Sequence, residues 1–200
     1  MGRNPARNVS REQIAHLAAR LMAEDGIEDY ALAKRKAARQ AGAPDTRQLP
    51  DNGEIDAALK IYRELYQRQH PAQLRELRER ALAMMAEFAR FNPYLTGSVL
   101  NGTAGRYADI HLQLFTEPHK AVELDLLNKG IRFDTGALRV YAGDMPIDAG
   151  VLSFERDGVT IRLTLLTPRE LRSRIKTSPG GKPLDRASRE ALEKLLAEEA

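Results

Sequence analysis

The stretch from Tyr94 to Leu114 constrains the fold of this chain more than any other. It consists of an apolar segment, a loop of small residues and a second apolar segment, and its chemically distinctive residues are Gly97, Ser98, Gly102, Gly105, Asp109 and His111. Because side chains alternate between the two faces of a β-strand, a second strand places Asp109 and His111 on the same face. A carboxylate and an imidazole are therefore predicted to lie beside a glycine-rich turn, whose backbone N–H groups can contact an anion.

This pattern resembles the signature of the DNA polymerase β-like nucleotidyltransferase superfamily, in which a Gly-Ser pair is followed by Asp-x-Asp on the next strand. The resemblance covers residues 72 to 176, and Ser98 and Asp109 stand at the family's spacing. The residues that it assigns to binding a nucleoside triphosphate are Gly97, Ser98, Gly102 and Gly105. It also implies that carboxylates on the second strand hold two divalent metal ions, Mg²⁺ or Mn²⁺, and that a third carboxylate on a neighbouring strand helps to activate the attacking hydroxyl.

The chain departs from this pattern at the second metal ligand. The resemblance gives Asp109 the first ligand position but puts His111 where the second carboxylate belongs. Two Mg²⁺ ions need hard, anionic oxygen ligands, and a neutral imidazole supplies neither the hardness nor the charge. Asp109 and His111 could instead hold one softer metal ion, His111 could accept a proton, or His111 could line a cleft that has lost its chemistry.

The third carboxylate has two candidate places. In the family's larger members it lies on the last strand of a hairpin, but the corresponding segment here, Val159 to Thr167, contains no acid and carries Arg162 and Thr164 at alternate positions. In the small members the acidic strand follows a short helix directly, which matches Asp134. We therefore predict Asp134 as the third catalytic residue beside Asp109 and His111, with a turn-forming role as the alternative.

Composition bounds the class of protein. A chain of 200 residues with 42% hydrophobic and 30% charged residues suits one domain of moderate size with a helical extension. It has no cysteines, which excludes a disulfide scaffold and a thiol nucleophile. The first residues contain no apolar signal region, and no stretch approaches the roughly 20 apolar residues of a membrane span. We therefore expect a cytoplasmic protein without a membrane partner.

Positive charge is concentrated in two clusters, although the net charge is only +3. The first cluster is Lys34, Arg35, Lys36 and Arg39, and the second is Arg169, Arg172, Arg174, Lys176 and Lys182. Such clusters are usually solvated surface, but they also suit contacts with nucleic-acid phosphates. A helix-turn-helix DNA reader is disfavoured, because a proline-containing loop follows Gly42 where a recognition helix should start.

The predicted elements follow from apolar periodicity and from turn residues. Helices are expected over residues 10–26, 29–41, 54–69, 72–91, 118–129 and 184–198, with a short basic helix from Thr167. After the two strands of the signature, further strands are expected over residues 131–133, 138–141, 150–155 and 159–166. Ser10 with Gln13 predicts a capping box, and Asp157-Gly158 predicts a two-residue hairpin.

These elements predict an α+β fold, a nucleotidyltransferase-like mixed sheet flanked by helices. The expected divisions are a helical N-terminal extension (1–70), the nucleotidyltransferase-like core (71–177), and a loop with a C-terminal helix (178–200). The leading functional hypothesis is a divergent member that binds a nucleotide, with metal-assisted nucleotidyl transfer weakened or lost. The alternatives are a non-catalytic nucleic-acid-binding or regulatory protein that uses the basic helices, and a structural protein that binds partners through amphipathic helices.

Overall fold

The computed structural model describes residues 10–27, 29–43, 48–105 and 107–199. The chain divides into two compact units, Met1–Pro71 and Ala72–Ala200. The described residues form seven α-helices and a mixed sheet of seven strands, which confirms the predicted α+β class. None of the helices in this part of the chain is both long and apolar enough to cross a membrane.

The helices of the first unit are α1 (Arg11–Glu24), α2 (Tyr30–Gln40) and α3 (Asn52–Tyr66). The predicted capping box is confirmed, since the Ser10 side chain accepts the backbone N–H of Gln13 at 3.1 Å and the Gln13 side chain accepts that of Ser10 at 3.0 Å. Asp29 and Asp51 cap α2 and α3 in the same way, through their carboxylates. The cap at Asp51 explains why α3 begins two residues before the position that apolar periodicity predicts.

The core of the first unit is built largely from alanine and branched aliphatic side chains. Its central members are Ile14, Ala18, Ala19, Ala33, Ala37, Ile55 and Leu59. Helix α1 packs against both α2 and α3. The buried residues of α2 are all alanines, and Arg35, Lys36 and Arg39 are exposed on its other side.

The second unit combines four helices with the sheet. The helices are α4 (His70–Glu87, which begins in the first unit), α5 (Ser98–Asn101), α6 (Lys120–Asn128) and α7 (Arg189–Glu198). The strands are β1 (Pro93–Thr96), β2 (Ile110–Phe115), β3 (Asp134–Ala142), β4 (Met145–Arg156), β5 (Val159–Leu166), β6 (Ile175–Lys176) and β7 (Arg186–Ala187).

The strand order is β6-β3-β4-β5-β2-β1-β7. Strand β2 pairs with β5 in parallel, and every other pairing is antiparallel. The predicted hairpin between β4 and β5 is confirmed, with φ of +53° at Asp157 and +74° at Gly158. Positive φ at both central residues is typical of the two-residue turns that match strand twist. This hairpin brings β5 back beside β2, next to the Asp-x-His residues.

The two faces of the sheet differ. One face carries the main apolar core, whose strand residues include Leu95, Ile110, Leu112, Leu114, Leu152, Ile161, Leu163 and Leu165. Residues of α4, α6 and α7 belong to the same core. The opposite face has a smaller apolar cluster at one end, formed by Phe115, Val140, Ala149, Leu166 and Ile175. The other end of that face carries polar side chains.

Three predicted elements are wrong in kind or extent. Residues 131–133 are not a strand, and β3 starts at Asp134. The basic helix expected from Thr167 is a single 3₁₀ turn, Glu170–Arg172. The closing helix begins at Arg189, because β7 before it pairs with the edge of β1. Tertiary pairing overrides local propensity in this last segment.

Candidate functional site

The polar end of the sheet is organised by strand register. His111 on β2 lies opposite Thr96 on β1 and beside Arg162 on β5. Arg162 in turn lies opposite Ser153, and Ser153 opposite Asp134. Because register partners share a face, these five side chains form one row across five strands.

Asp109 is held by Arg162. It immediately precedes β2 on the face of His111, as predicted, and its Oδ2 accepts a hydrogen bond from Arg162 Nε at 2.6 Å. The Asp109 side chain is 17% exposed and that of Arg162 is 45% exposed. The neighbouring strand therefore presents a cation to Asp109 at the place where the resemblance leads us to expect a third carboxylate.

Gly97 lies against the imidazole of His111. A β-carbon at Gly97 would be 3.6 Å from His111 Cδ2, and the φ of +79° is a conformation that other residues rarely adopt. Burial lowers the pKa of His111; Asp109 opposes this effect and Arg162 reinforces it. The environment beside the turn therefore favours the neutral imidazole, and Arg162 is the positively charged group next to it.

The turn after Gly97 closes through backbone hydrogen bonds. Ser98 begins α5, and its carbonyl accepts the N–H groups of Gly102 and Thr103, the latter at 2.9 Å. Gly102 has a φ of +79°, and the Gly105 carbonyl accepts a hydrogen bond at 3.1 Å. The four glycine and serine residues predicted for phosphate binding thus belong to one compact loop. Helix α5 has only four residues, so its dipole alone does not make a binding site.

A buried arginine supports this loop, and the sequence prediction missed it. Arg78 on α4 is 4% exposed and donates from Nε to the Val99 carbonyl at 3.0 Å and from Nη2 to the Leu100 carbonyl at 2.8 Å. Its remaining amino group pairs with Glu199. The available signal was the position of Arg78 directly after Leu77, within the apolar stripe of α4.

The structure does not bring Asp134 to the other predicted catalytic residues. Strand β3 is separated from β2 by β4 and β5, which corresponds to about 14 Å at ordinary strand spacing. Asp134 is also exposed. Asp134 lies on the same face and in the same row as His111, but the residue directly beside His111 is Arg162.

The donor set does not fit a pair of magnesium ions. Asp109 is engaged by Arg162, and His111 is not a hard oxygen ligand. Among the residues that the structure describes, no group of three or more histidine, cysteine, aspartate and glutamate side chains is arranged to hold a metal ion. Asp109 and His111 therefore differ in chemistry from the pair of carboxylates that a two-magnesium site uses.

Two buried polar atoms lie close to these residues in the chain. Gln113, on the same face of β2 as His111, is 3% exposed, and Thr103 in the loop is 5% exposed. Within the described part of the chain, Gln113 Oε1 and Thr103 Oγ1 have no hydrogen-bond partner. Unpaired buried polar atoms are costly, which marks this side of β2 as different from the apolar core.

The two basic clusters lie in different units. Arg35, Lys36 and Arg39 are exposed on α2 and make no ion pair with any described residue, whereas Lys34 donates to Asn52 Oδ1 at 2.7 Å. Members of the second cluster that are exposed include Arg169, Arg172 and Arg174. Lys176 of that cluster is only 20% exposed and pairs with Asp144 at 3.4 Å, so only part of each cluster is an exposed basic surface.

Comparison with known proteins identifies no family. No family's sequence profile matches the chain, and no curated protein matches it significantly.

Proposed function

We propose that this chain is a divergent nucleotidyltransferase-like protein that binds a nucleotide, with metal-assisted nucleotidyl transfer weakened or lost. The observation that carries the proposal is the meeting of the Gly97 turn with His111 and Asp109 at one end of β2. The parallel pairing of β2 with β5 supports it, because the strand beside Asp109 is where the family places its third carboxylate.

The same residues argue for weakened transfer. Stabilising charge on a transferring phosphoryl group requires metal ions or cations aimed at it. In this site an imidazole, His111, stands where the family has a carboxylate, and the Asp109 carboxylate is paired with Arg162. The site offers groups that can contact phosphate oxygens, whereas Asp109 and His111 are a weak ligand set for two catalytic ions.

The test is thermal unfolding with each of the four ribonucleoside triphosphates, with and without Mg²⁺ or Mn²⁺. A ligand that binds only the folded state at a hundredfold excess over Kd adds about 2.7 kcal/mol of stability. We expect at least one triphosphate to raise the melting temperature, and transfer of its α-phosphate label to be absent or very slow. If no triphosphate changes the melting temperature under any condition, the nucleotide proposal is wrong.

An exposed aromatic residue is a candidate contact for the nucleobase of the bound triphosphate. Tyr107 lies two residues before Asp109 and is 84% exposed. Nucleobases stack on such rings with about 1 to 3 kcal/mol per base. Tyr107→Ala should therefore weaken triphosphate binding without changing binding of inorganic triphosphate, while Tyr66→Ala, at a tyrosine that is 69% exposed in the first unit, should change neither.

The second candidate function is nucleic-acid binding through α2. The exposure of Arg35, Lys36 and Arg39, without ion-pair partners among the described residues, favours it. Phosphate contacts make affinity fall steeply with salt. A triple substitution of these residues to glutamine should reduce the salt dependence of binding to generic RNA or DNA. Binding that is unchanged in this variant would rule out the α2 surface.

A further inference from the structure

The ion pair between Arg162 and Asp109 points to a way of binding phosphate that does not use metal. We propose that the site binds the phosphate chain of a nucleoside di- or triphosphate without a divalent ion, with Arg162 supplying the positive charge. This inference rests on the proposed function, because it concerns the same site. It adds the chemical class of the ligand and the group that recognises it.

The first argument is the donor capacity of Arg162. A guanidinium has five N–H donors in a planar fork that matches phosphate oxygens. Only Nε is used, by Asp109, and the two terminal amino groups have no partner among the residues that the structure describes. The side chain is 45% exposed, so these donors can be reached from solvent.

The second argument is the position of Arg162 relative to the glycine turn. Thr96, His111 and Arg162 are successive register partners, and Gly97 directly follows Thr96. The backbones of Thr96 and Arg162 are therefore about 10 Å apart, two strand spacings. A chain of two or three phosphates is long enough to extend from the turn, across His111, toward the guanidinium.

The third argument is charge. Asp109 and Arg162 together are neutral, so the site has no excess negative charge that would repel a polyphosphate. A two-metal site has the opposite design, because its carboxylates attract cations and the cations attract phosphate. Here the carboxylate anchors the arginine and also competes with a phosphate for it.

This competition gives the two binding modes opposite predictions for Asp109→Asn. If Asp109 holds a metal, its neutralisation abolishes binding. If Asp109 pairs with Arg162, its neutralisation leaves the guanidinium with an uncompensated charge and strengthens binding. The direction of the change therefore distinguishes the modes without knowledge of the base.

The experiment is isothermal titration of the full chain with inorganic triphosphate, ATP, GTP, CTP and UTP, in EDTA and in excess Mg²⁺. We expect binding in EDTA that Mg²⁺ does not strengthen. Arg162→Gln should weaken it by about tenfold or more, since hydrogen bonds to charged groups are the strong ones. Asp109→Asn should tighten binding, and Arg162→Lys should restore part of the loss.

Arg139→Gln is the matched control. Arg139 pairs with Asp148 at 2.8 Å on the β3–β4 hairpin, so this variant removes the same charge from a similar ion pair outside the row of His111. Its affinity should equal that of the unchanged protein. Melting curves of each variant establish that it is folded, and Asp109→Asn tests the inference independently of Arg162.

The outcomes separate the inference from the proposed function. Binding that requires Mg²⁺ and disappears in Asp109→Asn overturns the inference and leaves nucleotide binding standing. Binding in EDTA that Arg162→Gln does not weaken also overturns it. Failure of all five ligands to bind in either buffer overturns the inference and the proposed function together.

Discussion

The two faces of the β2–β5 strand pair are formed by the same two strands, but one face packs in the core and the other carries polar side chains. On one face Leu112 and Leu163 are fully buried in the main core. On the other face His111 and Arg162 lie beside Asp109, and Arg162 is nearly half exposed. Alternation along each strand separates the two sets of side chains completely.

Because the two faces are separate, residues that determine the chemistry of the polar face can change without changing residues that stabilise the fold. His111 and Arg162 lie outside the core that contains Leu112 and Leu163, so substitutions at these two polar positions should leave that packing largely unchanged. The polar groups at this end of the sheet can therefore vary while the sheet keeps its strand order. Substitutions on the two faces should accordingly produce effects of different kind and size.

The largest effect should come from the core face. Leu112→Ala removes a fully buried side chain from β2, an interior strand of the sheet, and such substitutions cost about 2 to 5 kcal/mol. Urea denaturation measures the loss. The control is Arg162→Ala on the opposite face, which removes a partly exposed ion pair and should cost about 0 to 1 kcal/mol. Equal losses in the two variants would contradict the separation of the faces.

The next effect concerns the link between the helices and the loop. Arg78→Met leaves the Val99 and Leu100 carbonyls without their charged donor and should cost about 2 to 4 kcal/mol. Hydrogen exchange of the loop should also accelerate. Arg75→Met, one turn earlier on α4 at an arginine that donates to the Leu196 carbonyl at 3.0 Å and not to the loop, should leave the hydrogen exchange of the loop unchanged. Unchanged exchange in Arg78→Met would mean that the loop does not depend on this arginine.

A smaller effect should appear when carboxylates are added to the polar face. His111→Asp combined with Arg162→Asp places three carboxylates at one end of β2 and β5. Triphosphate binding in EDTA should fall about tenfold, equivalent to 1.4 kcal/mol, and Mg²⁺ should restore it. Calorimetry in the two buffers measures both changes. If Mg²⁺ does not change the triphosphate affinity of the double variant, carboxylates at positions 109, 111 and 162 do not form a metal site.

The smallest effect should be a pH dependence of stability that arises from Glu87. Burial alone raises the pKa of Glu87, but hydrogen bonds from Lys129 and Arg156 outweigh it and hold the pKa below its ordinary value of 4.5. A depressed pKa adds stability above the unfolded pKa, and this stability is lost as pH falls through the folded pKa. At pH 7 the free energy of unfolding of Glu87→Gln should therefore be lower than that of the unchanged protein by about 1 kcal/mol or less. This difference in stability should disappear as the pH falls below 4.5. A gap that persists at pH 3 would assign the loss to packing.

Much of the fold was readable from local pattern. The strand β5 has the predicted bounds, Val159–Leu166, and the Ser10 cap and the Asp157-Gly158 hairpin were found from their residue types. Each of these depends on residues that are neighbours in sequence. Strand β7 was missed because it depends on an edge of β1 that the local sequence does not reveal.

The candidate site was readable only in part, for the same reason. Alternation correctly put Asp109 and His111 on one face of β2. Which strand lies beside them is a long-range property, so the sequence favoured Asp134 whereas the structure places Arg162 there. The support of the loop by Arg78 likewise joins residues that are far apart in the chain.

The contact between Gly97 and His111 also provides a spectroscopic reporter. One α-proton of Gly97 points toward the imidazole, along the direction in which a β-carbon would lie 3.6 Å from Cδ2. Aromatic rings shift the magnetic resonance of nuclei held close to them, so the Gly97 signal should be displaced from the ordinary glycine region. Any ligand that rotates His111 or separates it from the turn would move that signal, which makes occupancy of the site observable at a single resonance without labelling the ligand.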